Sequence, residues 1–246
     1  MNTASMISRL LPERIKYDPR YWRVFGGIRS VRVAMRRRPK IFCIGMNKTG
    51  TTSLRREFER LGYLVGNERQ GELLYKEVLQ EKYEDLYAYI KTGEVFQDFP
   101  FSLPEMVSVL DAKYPDAKFI LSVRSSEQQW CESLISFHAR RFGDGVRTTV
   151  ADLKNSNYVE KGMAWKCFSH VFRADENALD PYDPERLTAV YRSHNENVRR
   201  QFTGRSHKLL EIDLSKPNAY ADFCTFLNIN PGRTSFPWEN KTKDIL

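Results

Sequence analysis

Residues 40–53 read KIFCIGMNKTGTTS, and this stretch decides the fold. Its first half, Lys40 to Gly45, is a short apolar run of the kind that forms a buried strand. The segment that follows, Thr51 to Gly62, spaces its apolar residues i, i+4 and i+7 and ends at a glycine, which is typical of an amphipathic helix. The sequence therefore predicts a strand, a glycine-bearing turn and a helix in direct succession.

The same alternation continues along the chain. We predict further strands at residues 63–65, 94–97, 118–123 and 208–212, and helices at 72–91, 104–114, from 126 onward, 184–202 and 219–227. Near-continuous apolar strands separated by helices favour an α/β fold with a parallel β-sheet flanked by helices on both faces. In such folds ligands bind at the carboxyl ends of the strands. Between residues 142 and 184 the alternation weakens, so we expect a helical or loop insertion over that site.

Positive charge is concentrated at the amino terminus. The chain of 246 residues has a net charge of +8, from 39 basic and 31 acidic residues, and residues 1–38 alone carry +8, from ten basic and two acidic residues. The remainder is neutral, so a nucleic-acid-binding domain is not indicated. We expect one domain over residues 39–246, preceded by a basic leader over residues 1–38.

The leader leaves several interpretations open. It is suited to lying on an anionic membrane, to guiding an acidic acceptor, or to acting as an organellar transit segment. The sequence contains no apolar stretch long enough to cross a bilayer and no secretory signal pattern. We therefore expect a cytoplasmic protein, either free or held peripherally at a membrane through residues 1–38.

The turn after the first strand has the character of a phosphate site. Backbone N–H groups at a helix N-terminus bind anions, and Gly45 and Gly50 permit a tight turn and the close approach of a phosphate. The nucleoside triphosphatase motif G-x-x-x-x-G-K-[ST] places lysine directly after its second glycine. Here Thr51 follows Gly50, and the lysine is Lys48, inside the turn. No strand ends in a convincing acidic ligand for Mg²⁺, so the turn predicts anion binding without a metal.

Three stretches resemble sulfotransferases that use 3'-phosphoadenosine 5'-phosphosulfate (PAPS). Lys48 to Ser53 is similar to the 5'-phosphosulfate loop of that family. Phe119 to Arg124, followed by a helix bearing Trp130 and Ser133, resembles its 3'-phosphate motif. The carboxyl-terminal helix, strand and helix of the family are matched by residues 191–202, 209–213 and 223–227. The resemblance covers residues 40–240.

The resemblance implies a P-loop NTPase-like sulfotransferase fold, PAPS as co-substrate, adenosine 3',5'-bisphosphate (PAP) as product, and no metal. The residues that it assigns to the nucleotide are Asn47, Lys48, Thr49, Gly50, Thr51, Thr52, Ser53, Arg124, Ser133 and Lys241. Many family members have eight residues from the arginine to the serine, which here leads to Glu132. Either the turn has one extra residue and Ser133 serves, or Ser125 or Ser126 assists.

Two residues are candidates for catalysis. Lys48 would contact the bridging oxygen or the 5'-phosphate and stabilise the leaving nucleotide. Asp98, at the end of the strand at 94–97, resembles the position of a catalytic histidine in an H-x-P context, and partial burial would raise its pKa enough for a general base. A structural aspartate in the turn before Pro100 is the alternative. Glu94 and His138 are fallback bases.

The acceptor is not readable from the sequence. It carries a hydroxyl or an amine, and glycans, lipids and small molecules all stay open. An aromatic stripe (Phe137, Phe142, Trp165, Phe168 and Phe172) either lines an acceptor pocket or packs a core. Two further functions compete with sulfuryl transfer: a P-loop phosphotransferase, and a non-catalytic adaptor that binds an anionic membrane or polysaccharide.

Overall fold

A four-stranded, all-parallel β-sheet organises the protein in a computed structural model that describes residues 19–177 and 180–237. Its strands are β1 (Ile41–Cys43), β2 (Val95–Gln97), β3 (Lys118–Ser122) and β4 (Leu209–Ile212), in the spatial order β2-β1-β3-β4. The prediction of an α/β fold with a parallel sheet is confirmed.

Helices connect the strands. Those in the described residues are α1 (Pro19–Arg36), α2 (Thr51–Arg60), α3 (Glu68–Leu73), α4 (Tyr75–Leu79), α5 (Glu84–Ile90), α6 (Met106–Lys113), α7 (Glu127–Phe142), α8 (Val150–Asn155), α9 (Met163–Phe172), α10 (Pro184–Gln201) and α11 (Ala219–Leu227). Ser126 is the N-cap of α7, where its side chain accepts a hydrogen bond from the backbone N–H of Gln129.

Both faces of the sheet are buried, because alternate residues of each strand enter different cores. Phe42, Phe96 and Phe119 belong to a core shared with α5, α6 and α10. Ile41 and Ile120 belong to a second core shared with α2 and α11. Burial on both sides explains why the strands read as continuous apolar runs rather than as an alternating pattern.

The register of the sheet brings the ends of its strands together. Cys43, the last residue of β1, is paired with Gln97 of β2 and with Ile120 of β3. Since all strands run the same way, the turn after β1, Asp98 after β2 and Arg124 after β3 all lie at the carboxyl edge of the sheet. This edge positions the candidate site.

The region predicted as one helix over residues 72–91 is instead divided among α3, α4 and α5. Glu81 adopts a left-handed backbone conformation (φ 58°), which no helix tolerates in its interior, and it separates α4 from α5. The strand predicted at residues 63–65 is reduced to a single parallel bridge between Val65 and Val95.

The segment predicted as an insertion, residues 142–184, contains α8 and α9. Thr149 and Asp152 form a reciprocal capping box that starts α8. Phe168 and Phe172 of α9 pack with Trp130 of α7 in a third core, outside the sheet. This core lies beside the turn after β1, because Met46 is one of its members.

Within residues 19–38, the described part of the predicted leader, side chains of α1 reach the domain. Arg29 donates hydrogen bonds to the carbonyl oxygens of Thr92 (2.9 Å) and Val65 (2.8 Å). Arg36 forms an ion pair of 3.0 Å with Glu94. None of the described helices combines the length and the apolar character needed to cross a membrane.

Candidate active site

The turn between β1 and α2 is fixed by two left-handed residues and one close contact. Lys48 has φ 73° and Gly50 has φ 100°. Gly45 is constrained differently, since a Cβ atom there would lie 2.4 Å from the carbonyl oxygen of Ser122. Gly45 is therefore needed where β1 passes close to β3, a reason that differs from the predicted approach of a phosphate.

Three consecutive carbonyl groups of the turn are held by the protein. The carbonyl oxygen of Met46 accepts from Thr49 Oγ1 (2.7 Å), that of Asn47 from Trp130 Nε1 (2.9 Å), and that of Lys48 from Arg124 Nε (2.6 Å). The backbone N–H groups of residues 47–51, in contrast, donate to no group among the described residues. The turn therefore presents donors without acceptors.

Helix α2 adds to this positive field. Gly50 provides no side-chain cap at its start, and its first turn contains no acidic residue. The orphan N–H groups and the positive end of the helix dipole are thus left for a ligand. Backbone donors in a turn that leads into such a helix are the usual geometry of a phosphate or sulfate site.

Two of the predicted hydroxyl donors are engaged inside the protein. Thr49 is buried, and its hydroxyl lies 2.6 Å from that of Ser122, so its side chain ties the turn to β3. The hydroxyl of Thr51 hydrogen-bonds the Asp98 carboxylate. Ser53 is also buried. For these residues the structure favours backbone rather than side-chain contacts with a ligand, while Asn47 is exposed at the rim of the turn.

Lys48 is a cation without an acidic partner at contact distance. Its Nζ lies 3.9 Å from the centre of the Phe137 ring, and it forms no ion pair within 4 Å in the described parts of the chain. Burial lowers the pKa of Lys48, and the charges of Arg124 and Arg140 lower it further. An anion placed between these groups would stabilise all three charges. Arg140 was missed at the sequence level, because a basic residue near the end of a helix is common.

Arg124 lies at the end of β3, as predicted. Its backbone N–H donates to the Tyr191 hydroxyl (3.0 Å) and its Nε holds the turn at Lys48. Neither of its terminal nitrogens has a hydrogen-bond partner among residues 19–177 and 180–237, so the outer edge of the guanidinium is available to a phosphate.

Ser133 differs from the alternative serines because its hydroxyl is not engaged within the described protein. Its Oγ is buried and has no partner among the described residues. Ser126 Oγ caps α7, and Ser125 Oγ donates to Asp213 (2.6 Å), so both alternatives are occupied. Glu132 is exposed. The last predicted contact, Lys241, lies outside the described residues.

Asp98 has the properties of a base that works near neutral pH. Burial, and then the charge of Glu68, raise the pKa of Asp98 to about 7, although hydrogen bonds from Thr51 and Gln97 oppose the rise. The charge of Asp98 also raises the pKa of Lys48, against the effect of burial. Asp98 also has a left-handed backbone (φ 56°), a conformation that aspartate tolerates better than most residues.

The two fallback bases, Glu94 and His138, lie in different parts of the fold. Glu94 precedes β2 and therefore lies at the opposite edge of the sheet, where it binds Leu64 N–H and Arg36, so its prediction as a base is wrong. His138 lies near Lys48, but burial, and then the Lys48 charge, lower the pKa of His138 to about 3. Its Nδ1 is 2.6 Å from the Tyr182 hydroxyl. His138 is thus a neutral and very weak base.

A cavity of about 160 Å³ adjoins the turn. Four members of the predicted aromatic stripe line it, namely Phe137, Phe142, Phe168 and Phe172. Phe168 and Phe172 also belong to the third core, so the stripe both lines the cavity and packs a core. Trp165 packs against that core without lining the cavity.

In the parts of the chain that the structure describes, no three His, Cys, Asp or Glu side chains are grouped so that they could hold a metal ion. A reaction without a metal stays a prediction.

The chain is similar to a known protein family. A family model described as a sulfotransferase domain matches residues 40–245, which contain the turn, Asp98, Arg124 and the cavity. No curated protein matches the chain.

Proposed function

Since the chain belongs to the sulfotransferase family, we propose that it transfers a sulfuryl group from PAPS to a hydroxyl or amine of an acceptor. The observation that carries this proposal is the turn of residues 45–50. Its carbonyl groups are held by the protein, while its N–H groups and the uncapped start of α2 are left for an anion.

The two ends of the nucleotide fit two separate groups of donors. The 5' end suits the turn and Lys48, where N–H groups and one ammonium converge. The 3'-phosphate suits the terminal nitrogens of Arg124 together with Ser133 Oγ, the buried hydroxyl without a partner. Lys241 is proposed as a further contact to the nucleotide.

Lys48 and Asp98 divide the chemistry between them. The acceptor oxygen forms a bond to sulfur while the bond from sulfur to the bridging oxygen breaks, and the electron pair of that bond leaves with the phosphate. Lys48 stabilises the charge that develops on the leaving oxygen. Asp98 accepts the proton of the acceptor, which a carboxylate with a pKa of about 7 can do and still be half ionised at neutral pH.

The remaining features are assigned as follows. Residues 39–246 act as one catalytic domain, and the segment 142–184, which supplies α8 and α9, covers the acceptor. We place the protein in the cytoplasm, with residues 1–38 as an arm that gives peripheral contact with an anionic membrane surface or guides the acceptor. No step of the reaction requires that arm.

Labelled PAPS tests the proposal directly. The protein is incubated with [³⁵S]PAPS and a fractionated extract of the source cells, and the Lys48→Ala variant serves as the control. We expect label to enter one fraction with the wild-type protein only. Phosphoryl transfer from Mg-ATP without affinity for PAP would instead establish the P-loop phosphotransferase. Binding to liposomes or heparin that is lost on deletion of residues 1–38, without any nucleotide binding, would establish the adaptor.

A further inference from the structure

The cavity beside the turn has an apolar interior. Most of the residues around it are aliphatic or aromatic, and they come from α7, α9 and the segment after β2. Examples from these three elements are Leu134, Phe168 and Leu103. Such a wall, interrupted by few polar groups, is typical of sites for small organic molecules.

The cavity ends at the proposed reaction centre. Phe137 lines it, and the same ring carries the Lys48 ammonium at 3.9 Å. Asn47 of the turn lines it as well, as does Phe99, the residue directly after Asp98. Lys48 and Asp98 do not line the cavity themselves, but each adjoins a residue that does, so a molecule in the cavity lies one side chain away from the proposed reaction centre.

The cavity is partly open to solvent, and its volume sets the size of the group that it can bury. An apolar cavity of about 150 Å³ is large enough to hold benzene, and this one has about 160 Å³. The space therefore suits one ring, or an aliphatic group of similar bulk.

Some polar residues of the wall are engaged within the protein, whereas Asn47, Ser102 and Arg141 also contribute polar groups to it. Glu72 accepts a hydrogen bond of 2.5 Å from the Tyr158 hydroxyl, and its other oxygen lies 3.5 Å from Arg69. Burial raises the pKa of Glu72 above its ordinary value. His138 is neutral and bound to Tyr182. Arg141 is exposed, and its guanidinium lies over the Tyr158 ring.

A sugar would lose more on burial in this cavity than a hydrocarbon would, because most of the wall is apolar. Each hydroxyl that loses water without finding a partner costs about 1–3 kcal/mol, and a monosaccharide carries several. A ring or a hydrocarbon group has no hydrogen bonds to water to lose, and its burial is favourable.

From these observations we propose that the acceptor is a small, uncharged and largely apolar alcohol or phenol. Its ring or hydrocarbon group lies in this cavity, and its hydroxyl points to Lys48 and Asp98. This inference rests on the proposed sulfuryl transfer, and it selects the small-molecule class from the acceptors that the sequence left open.

Binding to the PAP-saturated protein tests it. The probes are 4-ethylphenol and N-acetylglucosamine, measured by calorimetry, and transfer of ³⁵S from PAPS to each is measured in parallel. We expect 4-ethylphenol to bind and to be sulfated, with at least tenfold higher affinity than the sugar. Preference for the sugar, or no binding of 4-ethylphenol to protein that binds PAP, would overturn the inference.

Variants that fill the cavity provide a second test. Ala164 lines the cavity, so Ala164→Phe should weaken 4-ethylphenol binding at least tenfold and leave PAP affinity unchanged. Ala151→Phe adds the same ring at an exposed position of α8 and should behave as wild type. If Ala164→Phe does not fold, Val171→Phe places a ring in the same cavity from the same helix.

The two proposals fail in different ways. Protein that is folded but does not bind PAP contradicts sulfuryl transfer from PAPS itself. Protein that binds PAP, while Ala164→Phe retains full affinity for 4-ethylphenol, contradicts only the assignment of the cavity.

Discussion

The two edges of the sheet use positive charge in opposite ways. At the amino edge, Glu94 is fully buried and receives Arg36 at 3.0 Å and Arg38 at 3.9 Å. At the carboxyl edge, the Lys48 ammonium lies over the Phe137 ring, and Arg124 Nε donates a hydrogen bond to a backbone carbonyl oxygen. Neither of these two residues has a carboxylate within 4 Å among the described residues.

This difference separates structural cations from functional ones. A cation paired with a buried carboxylate stabilises the fold, and its charge is cancelled before a ligand arrives. A cation held only by a ring or a carbonyl keeps its charge, which a bound anion can then use. The partner of a basic residue is therefore a better guide to the site than the number of basic residues.

Replacing Asp98 should have the largest effect on turnover. Loss of a general base lowers kcat by about 10²–10⁴-fold, and we expect Asp98→Asn to do so while PAP affinity stays within a factor of two to three. Steady-state kinetics and calorimetry measure the two quantities. Equal loss of both would make Asp98 a structural residue of the carboxyl edge.

The pH dependence of the activity also follows from the Asp98 carboxyl group. Because the pKa of Asp98 is raised to about 7, activity should fall as the pH drops through 7 and the base becomes protonated. The folded protein also binds this proton more tightly than the unfolded chain, so Asp98 lowers stability as the pH rises from about 4 to 7. Asp98→Asn should consequently raise Tm at pH 8 and change it little at pH 4. A Tm that responds equally at both values would contradict the raised pKa.

Replacing Lys48 should have the next largest effect. Removal of one group that stabilises developing charge costs about 10²–10³-fold in kcat, and Lys48→Ala should show this loss with an unchanged Tm. Lys40 is the matched lysine of the other edge, where its Nζ donates to the carbonyl oxygen of Ile90 (2.8 Å) and the charge of the Glu94 carboxylate raises its pKa against the effect of burial. Lys40→Ala should lower Tm and leave the kcat of the folded protein unchanged. Equal losses of kcat in Lys48→Ala and Lys40→Ala would contradict the difference between the two edges.

Ser133→Ala should have a small effect on affinity. A single neutral hydrogen bond contributes about 0.5–1.5 kcal/mol, so PAP should bind about 3- to 10-fold more weakly. Ser108→Ala is the control, because that hydroxyl is exposed and bonds only Gln201. Calorimetry that finds no difference between the two variants would remove Ser133 from the site.

Glu94→Gln should leave PAP affinity unchanged and reduce only stability. The substitution weakens the hydrogen bonds and ion pairs that Glu94 makes with Leu64 N–H, Arg36 and Arg38. We expect a loss of about 1–3 kcal/mol in the free energy of unfolding, measured by denaturant titration. A loss of nucleotide binding in the folded variant would show that the two edges are coupled.

Much of the fold could be predicted from the sequence because the strands are short, apolar and bounded by turns. The boundaries of α11 match the prediction residue for residue. Residues 72–91 were harder, since three short helices and one long helix share the same polar composition. A left-handed glutamate at residue 81 leaves no compositional signal.

The candidate site was predicted in part. A turn after β1 and a strand-end arginine are local patterns, so Lys48 and Arg124 could be named. The roles of Gly45 and Thr49 depend on Ser122, which is more than 70 residues away in the chain. The aromatic stripe indicated part of the cavity wall, but the position of Arg140 relative to Lys48 depends on how α7 packs, which no local pattern encodes.

The most direct test of the account is calorimetry with PAP, in the absence of Mg²⁺, on a matched pair of arginine variants. Arg124→Ala removes a cation at the carboxyl edge that has no carboxylate within 4 Å among the described residues. Arg36→Ala removes a cation at the amino edge that is paired with Glu94. We predict that wild type and Arg36→Ala bind PAP equally, and that Arg124→Ala binds about 10- to 100-fold more weakly, the loss of one or two charge-assisted hydrogen bonds. Equal affinity for all three proteins, or wild-type protein that binds Mg-ATP but not PAP, would contradict the account.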